Sequence, residues 1–360
     1  MRSPNRIVIA AAGGGKTTRI VDEVLAEKSA RSAIITYTRN NVREIQAKFY
    51  QRGKAVPPHV EIIPWYTFLL REMARPYRNH KYGKRIDGIF WTETTVDRFA
   101  PKSDAGRYYF GNSSNIYSNK LAEFVCDCNE VSDNAIMRRL VKRFERVYID
   151  EIQDFAGYDL DILELMLRSD VEVVLVGDPR QSTFTTNNSN RHKGFRGPDI
   201  IRKFQEWEKK KLVELQHLVE THRCNQLIAN LADSFYPEHE KTKSRNEDVT
   251  GHDGVFSIKT EHVAEYITKF GPQVLRLSVK TECAGFPALN FGESKGMTFD
   301  RILIFPHKKA QKWLTTGDYE LVSGVKPELY VGVTRARYSV TFVYDGTSAL
   351  NEIVPHQVEQ

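Results

Sequence analysis

Short apolar segments alternate along this chain with stretches whose apolar residues recur at helical spacing. In the first half, strands are predicted at 6–11, 33–37, 60–63, 146–149 and 172–177. A helix is predicted to begin near Thr17 and another to end near Gly53, where glycine suits a helix C-terminus. Apolar strands separated by helices predict an α/β fold whose parallel sheets are covered on both faces.

The same alternation returns in the second half of the chain. Strands are predicted there at 255–260, 274–279, 301–305 and 339–344. We place the domain boundary at the charged run Lys209–Lys211, which gives domains of residues 1–211 and 212–360. Residues of about 73–120 interrupt the first domain with a basic, aromatic, weakly periodic insertion. Its cations form either a solvated face or a surface that contacts phosphates.

The composition narrows the class of protein. Of 360 residues, 41% are hydrophobic and 27% charged, as in globular proteins. Lys and Arg number 52 and Asp and Glu 46, and this net charge of +6 permits a polyanionic partner without requiring one. No apolar run approaches the ~18 residues of a membrane span, and four cysteines are too few for a disulfide scaffold. We expect a cytoplasmic protein with no membrane partner.

A glycine-rich loop joins the first predicted strand to its helix. Backbone N–H groups in such a loop, together with the helix N-terminus, bind phosphates. Lys16 can reach the β- and γ-phosphates, and the Thr17 hydroxyl can ligate Mg²⁺. The pattern predicts a nucleotide site with ATP and Mg²⁺ as cofactors. Its expected residues are Ala10 (where the usual pattern begins with glycine), Gly13, Gly14, Gly15, Lys16, Thr17 and Thr18.

An acidic pair ends the strand predicted at 146–149. Asp150 is expected to hold the metal, with Thr17 as the other metal residue, and Glu151 to position and deprotonate the attacking water. Acids at a strand end also occur in solvated loops and helix caps. Together with a phosphate loop, however, they indicate nucleotide hydrolysis.

Five further segments accompany these two motifs. They are Thr36–Asn40, Val176–Phe184, Glu220–Asn225, Ser294–Asp300 and Tyr330–Arg337. In this order they resemble the motifs of UvrD/Rep-like superfamily 1 DNA helicases, over about residues 6–345. The short architecture and the segment 290–296 resemble compact phage-encoded or anti-phage-defence helicases of the Gabija type.

The resemblance implies two RecA-like P-loop domains with ATP bound in the cleft between them. It implies that Gln181 senses the γ-phosphate and that Gly296 lies at the nucleotide. It also implies that Arg223 and Arg335 stabilise the charge that builds on the γ-phosphoryl group. The interval from Arg223 to Asn290 is too short for the large insertion that larger relatives carry in the second domain. The chain begins too close to its first strand for the segment that reads adenine, which leaves strict ATP preference open.

Aromatic residues near the strand ends suggest a track for nucleic acid. Single strands are bound by grooves that combine cations with stacking platforms. The residues expected to contact nucleic acid are Tyr37, Thr38, Trp65, Phe184 and Phe195. Each aromatic residue of this set also fits a core position.

Two functions remain open from the sequence. The first is an ATP-dependent translocase or helicase that acts on single-stranded DNA or a forked duplex, 3′ to 5′ as the resemblance implies. The second is a nucleic-acid-sensing NTPase subunit that regulates a protein effector such as a nuclease without processive unwinding. The sequence leaves DNA or RNA undecided. A small-molecule P-loop kinase would leave the paired arginines unexplained.

Overall fold

The computed structural model describes residues 5–27, 29–53, 55–92, 99–111 and 113–357. Residues 93–98 and 112, which fall in the predicted insertion, therefore lie outside the described ranges. The chain forms two compact units. The first comprises the residues up to Ile9, Lys16–Pro179 and Phe184–His217. The second comprises Ala10–Gly15, Arg180–Thr183 and the chain from Leu218 onward.

The first unit is built on a six-stranded sheet in the order β3-β2-β6-β7-β1-β8, in which the five strands from β3 to β1 are parallel. A separate parallel pair is formed by β4 and β5. The strands are β1 (Arg6–Ala10), β2 (Ser32–Thr36), β3 (Val60–Pro64), β4 (Gly88–Phe90), β5 (Asn115–Tyr117), β6 (Arg146–Ile149), β7 (Glu172–Gly177) and β8 (Glu214–Leu218).

Helices connect these strands and cover the sheet. Helix α1 buries Ile20, Val21 and Val24, the face that its apolar spacing presents to the core. A π-helical segment, Leu69–Ala74, joins α3 to α4. The helices are α1 (Lys16–Ala26), α2 (Arg39–Gln51), α3 (Trp65–Phe68), α4 (Arg75–Tyr77), α5 (Ala105–Phe110), α6 (Leu121–Val131), α7 (Ala135–Arg143), α8 (Tyr158–Leu167) and α9 (Ile200–Lys209).

The start of the predicted insertion uses its arginines to brace its own backbone. Arg75 Nε donates to the Ile86 carbonyl at 2.9 Å, and Arg78 Nε donates to the Lys84 carbonyl at 3.1 Å. Both guanidinium groups thus hold the loop between α4 and β4. These bonds favour a structural role for the two cations over a phosphate-contacting one.

The second unit repeats the theme with a parallel six-stranded sheet in the order β13-β12-β14-β15-β11-β16. Its strands are β9 (Glu220–Thr221), β10 (Lys243–Ser244), β11 (Gly254–Ile258), β12 (Gln273–Arg276), β13 (Leu289–Asn290), β14 (Phe299–Phe305), β15 (Ala336–Val343) and β16 (Val354–Pro355), with β9 and β10 forming a separate pair. Its helices are α10 (Gln226–Ser234), α11 (Val263–Phe270), α12 (Lys308–Thr316) and α13 (Lys326–Val333).

The two parallel sheets confirm the predicted α/β fold with two RecA-like domains. The interval 223–296, all of it described, contains only α10, α11, one 3-10 turn (Thr260–His262) and short strands of this unit, so it carries no large inserted domain. Across the described ranges, no helix combines the length and apolarity needed to traverse a membrane.

Candidate nucleotide and nucleic-acid sites

The acidic pair lies beside the first turn of α1. Thr17 Oγ1 donates to Asp150 Oδ2 at 3.0 Å, and the Glu151 amide donates to Asp150 Oδ1 at 2.9 Å. Burial, followed by the charge of Glu151, raises the pKa of Asp150 to about 7, against the opposing effect of Lys16. A hydroxyl beside a carboxylate is an oxygen donor set that suits Mg²⁺. A bound cation would favour the ionised carboxylate.

Glu151 has a backbone conformation that non-glycine residues rarely adopt. Its φ is +59°, in the left-handed region, and such residues cluster at functional sites. Gln153 fixes its side chain: Nε2 donates to the Glu151 carboxylate, while Oε1 accepts from the Asp178 amide at 3.1 Å. A Cβ at Gly177 would clash with Gln153 Oε1 and Ile152 Cγ2, so a larger residue there would displace these side chains. Gln153 therefore links the ends of β6 and β7, a role that was not predicted from the sequence.

The glycine-rich loop is bonded to the segment that resembles the fourth helicase motif. Thr221 Oγ1 donates to the Ala12 carbonyl at 2.6 Å, and the His222 amide donates to the Gly13 carbonyl at 3.1 Å. Gly13 has a φ of +76°, and a Cβ there would lie 2.6 Å from Arg223 Cβ. Close approach of the two segments therefore requires glycine at this position.

The other predicted phosphate residues continue this loop into the helix. Ala10 ends β1 and is fully buried, and the Gly14 amide donates to the Ala11 carbonyl at 2.9 Å. Gly15 has a φ of +73° with no heavy atom within 4 Å of a would-be Cβ. Lys16, Thr17 and Thr18 form the start of α1. The helix N-terminus thus follows the loop directly, as phosphate binding requires.

Three predicted catalytic residues meet in the second unit. Arg335 is only 2% exposed, and its Nη2 donates to Gln181 Oε1 at 3.0 Å. Its Nε donates to the Val331 carbonyl at 3.0 Å. Arg223 Nη1 donates to the Thr334 carbonyl at 3.1 Å. The chain thus holds both arginines and the glutamine in fixed orientations.

Two further residues of this unit frame that group. Gly296, predicted to lie at the nucleotide, has a φ of +87° and precedes Met297, whose carbonyl accepts from Arg335 Nη1 at 3.4 Å. Arg180 pairs with Asp233 at 3.3 Å in a buried contact and lies over the Tyr330 ring. No role was predicted for Arg180 from the sequence, although it directly precedes Gln181.

Trp65 does not fit the predicted nucleic-acid contact. Its indole is fully buried, and Nε1 donates to Asp159 Oδ1 at 3.0 Å. Thr186 Oγ1 donates to the other carboxylate oxygen at 2.6 Å. Burial raises the pKa of Asp159 to about 7. The indole is thus part of the core and offers no face to a base, which corrects the expectation.

Thr186 lies at the centre of a hydrogen-bond cluster within the first unit. Its amide donates to the Asp154 carbonyl at 2.8 Å, and its hydroxyl accepts from the Ala156 amide at 3.1 Å. The Tyr66 hydroxyl donates to the Thr186 carbonyl at 2.6 Å. The cluster joins the chain after Glu151 to the loop that carries Phe184. No motif signals it, because its members are distant in sequence.

Tyr37 and Phe184 lie together at the surface of the first unit. Their ring centroids are 4.9 Å apart, Tyr37 is half-buried, and Phe184 is exposed. Thr38, which was also expected to contact nucleic acid, has a structural role. Its hydroxyl accepts from the Asn41 amide at 3.1 Å and caps α2.

Phe195 is partly buried against the first core and lies beneath two cations. Lys203 Nζ is 5.4 Å and the Arg202 guanidinium 5.9 Å from its ring centroid. These contacts suit an aromatic ring that packs against the core and also interacts with nearby positive charge. They leave both the stacking and the packing interpretation in place.

Two family models each match more than half of the chain. A family model described as viral superfamily 1 RNA helicase core domain matches residues 127–344, and a model described as AAA domain matches residues 1–187. The chain belongs to the superfamily 1 helicases. The match confirms the superfamily that the order of motifs indicated.

One curated protein is a distant relative of this chain. Gabija protein GajB of Bacillus cereus (strain VD045) is 25% identical over 293 residues, which cover 77% of this chain and 55% of GajB. The chain thus spans about half the length of this curated relative. The similarity agrees with the expected relation to Gabija-type helicases.

Solved helicase structures from viruses also match the chain. The PRRSV helicase has a TM-score of 0.46 at 15% identity, covering 94% of this chain and 52% of that one. The arterivirus nonstructural protein 10 helicase has a TM-score of 0.47 at 15% identity, covering 95% and 59%. Its complex with DNA gives 0.46 at 15% identity, covering 95% and 61%.

Proposed function

We propose that this helicase-family chain is an ATP-dependent translocase or helicase on single-stranded DNA that moves 3′ to 5′. One observation carries the proposal: the hydroxyl that follows the glycine-rich loop lies 3.0 Å from the first acid of the pair. A hydroxyl at the start of the P-loop helix beside an acid that can hold a metal is the arrangement by which P-loop proteins bind Mg²⁺ for nucleotide hydrolysis. The direction of movement rests on the resemblance alone.

The residues of this chain divide the chemistry among them. Lys16 neutralises phosphate charge, and Thr17 and Asp150 would hold Mg²⁺. The bound ion would supply positive charge to the β- and γ-phosphate oxygens. Glu151 orients the attacking water and takes its proton, and Gln153 fixes the carboxylate in that position.

The arginines serve the later part of the same reaction. Charge builds on the γ-phosphoryl oxygens in the transition state, and guanidinium groups stabilise it. Arg335 and Arg223 supply these groups, and Gln181, which accepts a hydrogen bond from Arg335, senses the γ-phosphate. Nucleotide state and the position of these side chains thereby become linked.

A second candidate is a nucleic-acid-sensing NTPase subunit that regulates a partner effector such as a nuclease. The compact second unit favours it, because the interval 223–296 leaves no room for an extra domain. The similarity to Gabija protein GajB also supports it. Both candidates share the nucleotide chemistry and differ in whether the chain separates strands.

ATP hydrolysis with and without single-stranded DNA, followed by unwinding of forked duplexes, tests the proposal. We expect single strands to stimulate hydrolysis and the chain to unwind a duplex with a 3′ tail. Lys16→Ala should do neither, because it lacks the positive charge that neutralises the phosphates. Stimulation without unwinding would favour the sensing subunit. Hydrolysis that ignores nucleic acid would refute both candidates.

A further inference from the structure

One tryptophan of this chain is displayed at the surface. The sequence contains four. Trp65, Trp207 and Trp313 are fully buried, whereas Trp91 is 65% exposed. Tryptophan side chains are highly buried on average, so an indole that is mostly exposed is a candidate binding surface. Trp91 lies in the predicted insertion and outside every helicase motif.

The backbone around Trp91 is held in place. The indole follows β4 directly, and β4 pairs with β5 through Phe90 opposite Tyr117. The Thr92 amide donates to Ser118 Oγ at 3.1 Å, and the same hydroxyl donates to the Thr92 carbonyl at 3.1 Å. The indole is therefore presented from an ordered edge.

Trp91 is also the end of a continuous row of aromatic rings. Its centroid lies 4.8 Å from that of Tyr66, with the rings inclined at 75°. Tyr66 contacts Tyr37 at 5.8 Å, and Tyr37 contacts Phe184 at 4.9 Å. We call these four residues the aromatic row. Its two ends are exposed, and its inner member Tyr66 is buried and anchored to Thr186.

The geometry of the row leaves the indole at its Trp91 end available for stacking. An edge-to-face contact with Tyr66 covers at most one face of the indole, so at least one face stays free of that ring. The opposite end, Phe184, is 37% exposed. The row is one ring wide, which suits a chain of unpaired bases better than a protein surface with an extended apolar core.

We propose that Trp91 stacks on an unpaired base and extends the nucleic-acid track from Tyr37 and Phe184 onto the insertion. The proposal rests on the proposed function, because the occupant is the single strand on which the chain acts. It also goes beyond that function, since none of the helicase motifs includes this residue. Stacking recognises the π-face common to all bases, so the contact is independent of sequence and shared by DNA and RNA.

The fluorescence of Trp91 gives a direct test. Since the other three indoles are buried, titration of the full chain with ~20-nucleotide oligo-dT or oligo-rU should change mainly the emission of Trp91. In Trp91→Phe that change should disappear while binding persists, because the phenyl ring keeps a π-face. The two oligonucleotides separate a DNA strand from an RNA strand as the occupant.

Binding measured by fluorescence anisotropy supplies the second arm. A stacked base contributes ~1–3 kcal/mol, so the Kd of Trp91→Ala should rise ~5- to 150-fold. The slope of log Kd against log salt should stay the same, because the indole neutralises no phosphate. Tyr50→Ala is the matched control: Tyr50 is 66% exposed at the far end of α2, about 20 Å from Thr38 at about 1.5 Å per residue. Its Kd should equal that of the wild type.

The outcomes separate the two claims. The wild type could bind the single strand without a change in Trp91 emission, and Trp91→Ala could bind it with the wild-type Kd. This result would overturn the Trp91 contact and leave the proposed function standing. Wild type that binds no single strand would overturn the proposed function itself. A melting temperature for each variant within about a degree of the wild type shows that a changed Kd is not a folding defect.

Discussion

The two sheets carry their candidate residues at opposite ends of their strands. In the first sheet, Asp150 follows the carboxyl end of β6, and the phosphate loop follows that of β1. In the second sheet, Arg335 directly precedes the amino end of β15, and Gly296 lies shortly before β14. The first arrangement offers backbone N–H groups and short oxygen ligands, whereas the second offers long guanidinium side chains held by carbonyl groups.

This difference implies a division of labour. Residues at the carboxyl edge of the first sheet are suited to bind phosphate and metal in the ground state. Arg335 at the amino edge of the second is suited to respond to charge that appears only during reaction. Substitutions at the two edges should therefore change turnover and nucleotide affinity in different proportions.

Arg335→Ala should show the largest effect on turnover. An arginine that stabilises the transferring phosphoryl group contributes ~10³-fold or more to hydrolysis, with little effect on nucleotide affinity. Arg335→Lys should not restore turnover, because a single ammonium cannot replace the Nε and Nη2 donors seen here. Steady-state hydrolysis beside nucleotide binding measures this, and full activity of the lysine variant would refute the role. A melting curve checks that loss of the buried guanidinium has not unfolded the chain.

Glu151→Gln should lower turnover ~10²-fold or more. The amide keeps the shape of the side chain but cannot accept the proton of the attacking water. Nucleotide affinity should persist in this variant. Lys16→Ala should instead lose affinity, because it removes the positive charge that neutralises the phosphates. Hydrolysis at the wild-type rate would remove Glu151 from the mechanism.

Asp159→Asn should flatten the pH dependence of stability. The pKa of Asp159 is about 7 in the folded chain and 3.8 when unperturbed, so the folded state binds more protons between these values. Wild-type stability from this group is therefore present at low pH and lost as pH rises from about 4 to 7. Urea unfolding at about pH 5 and about pH 8 should show a smaller difference for the asparagine variant. An unchanged difference would mean that Asp159 ionises as in the unfolded chain.

Phe195→Ala should have the smallest effect on turnover, because Phe195 lies outside the phosphate site. If the ring is a stacking platform, single-strand affinity falls by ~1–3 kcal/mol with an unchanged salt slope, and Phe195→Trp restores it. If the ring packs only against the core, stability falls by ~3–5 kcal/mol and the melting temperature drops instead. A lower melting temperature with unchanged affinity of the folded protein would end the platform interpretation.

Much of the fold could be predicted, and the candidate nucleotide site could be proposed, because the signals are local. A buried strand followed by glycines and then Lys16, or by Asp150 and Glu151, occupies a few consecutive residues. The α/β alternation likewise arises from neighbouring segments whose periodicity is visible without tertiary information. These features do not depend on any contact distant in sequence.

The residues that the sequence did not place depend on distant partners. Trp65 follows a strand as a DNA-facing aromatic would. Its indole is buried, however, and donates a hydrogen bond to Asp159, 94 residues away. Gln153 acquires its bridging role from Asp178 at the end of another strand. Trp91 is distinguished only by its exposure, which periodicity in an irregular insertion does not reveal.

The cluster at Thr186 has a consequence for local unfolding. Its amide and hydroxyl bond to Asp154 and Ala156, so the backbone after Glu151 cannot open without also releasing the loop that carries Phe184. Hydrogen exchange should then report one cooperative opening unit, with the amides of Ala156 and Thr186 exchanging together. If a bound single strand reduces the motion of the loop at Phe184, hydrogen exchange should also slow in the segment just beyond Glu151.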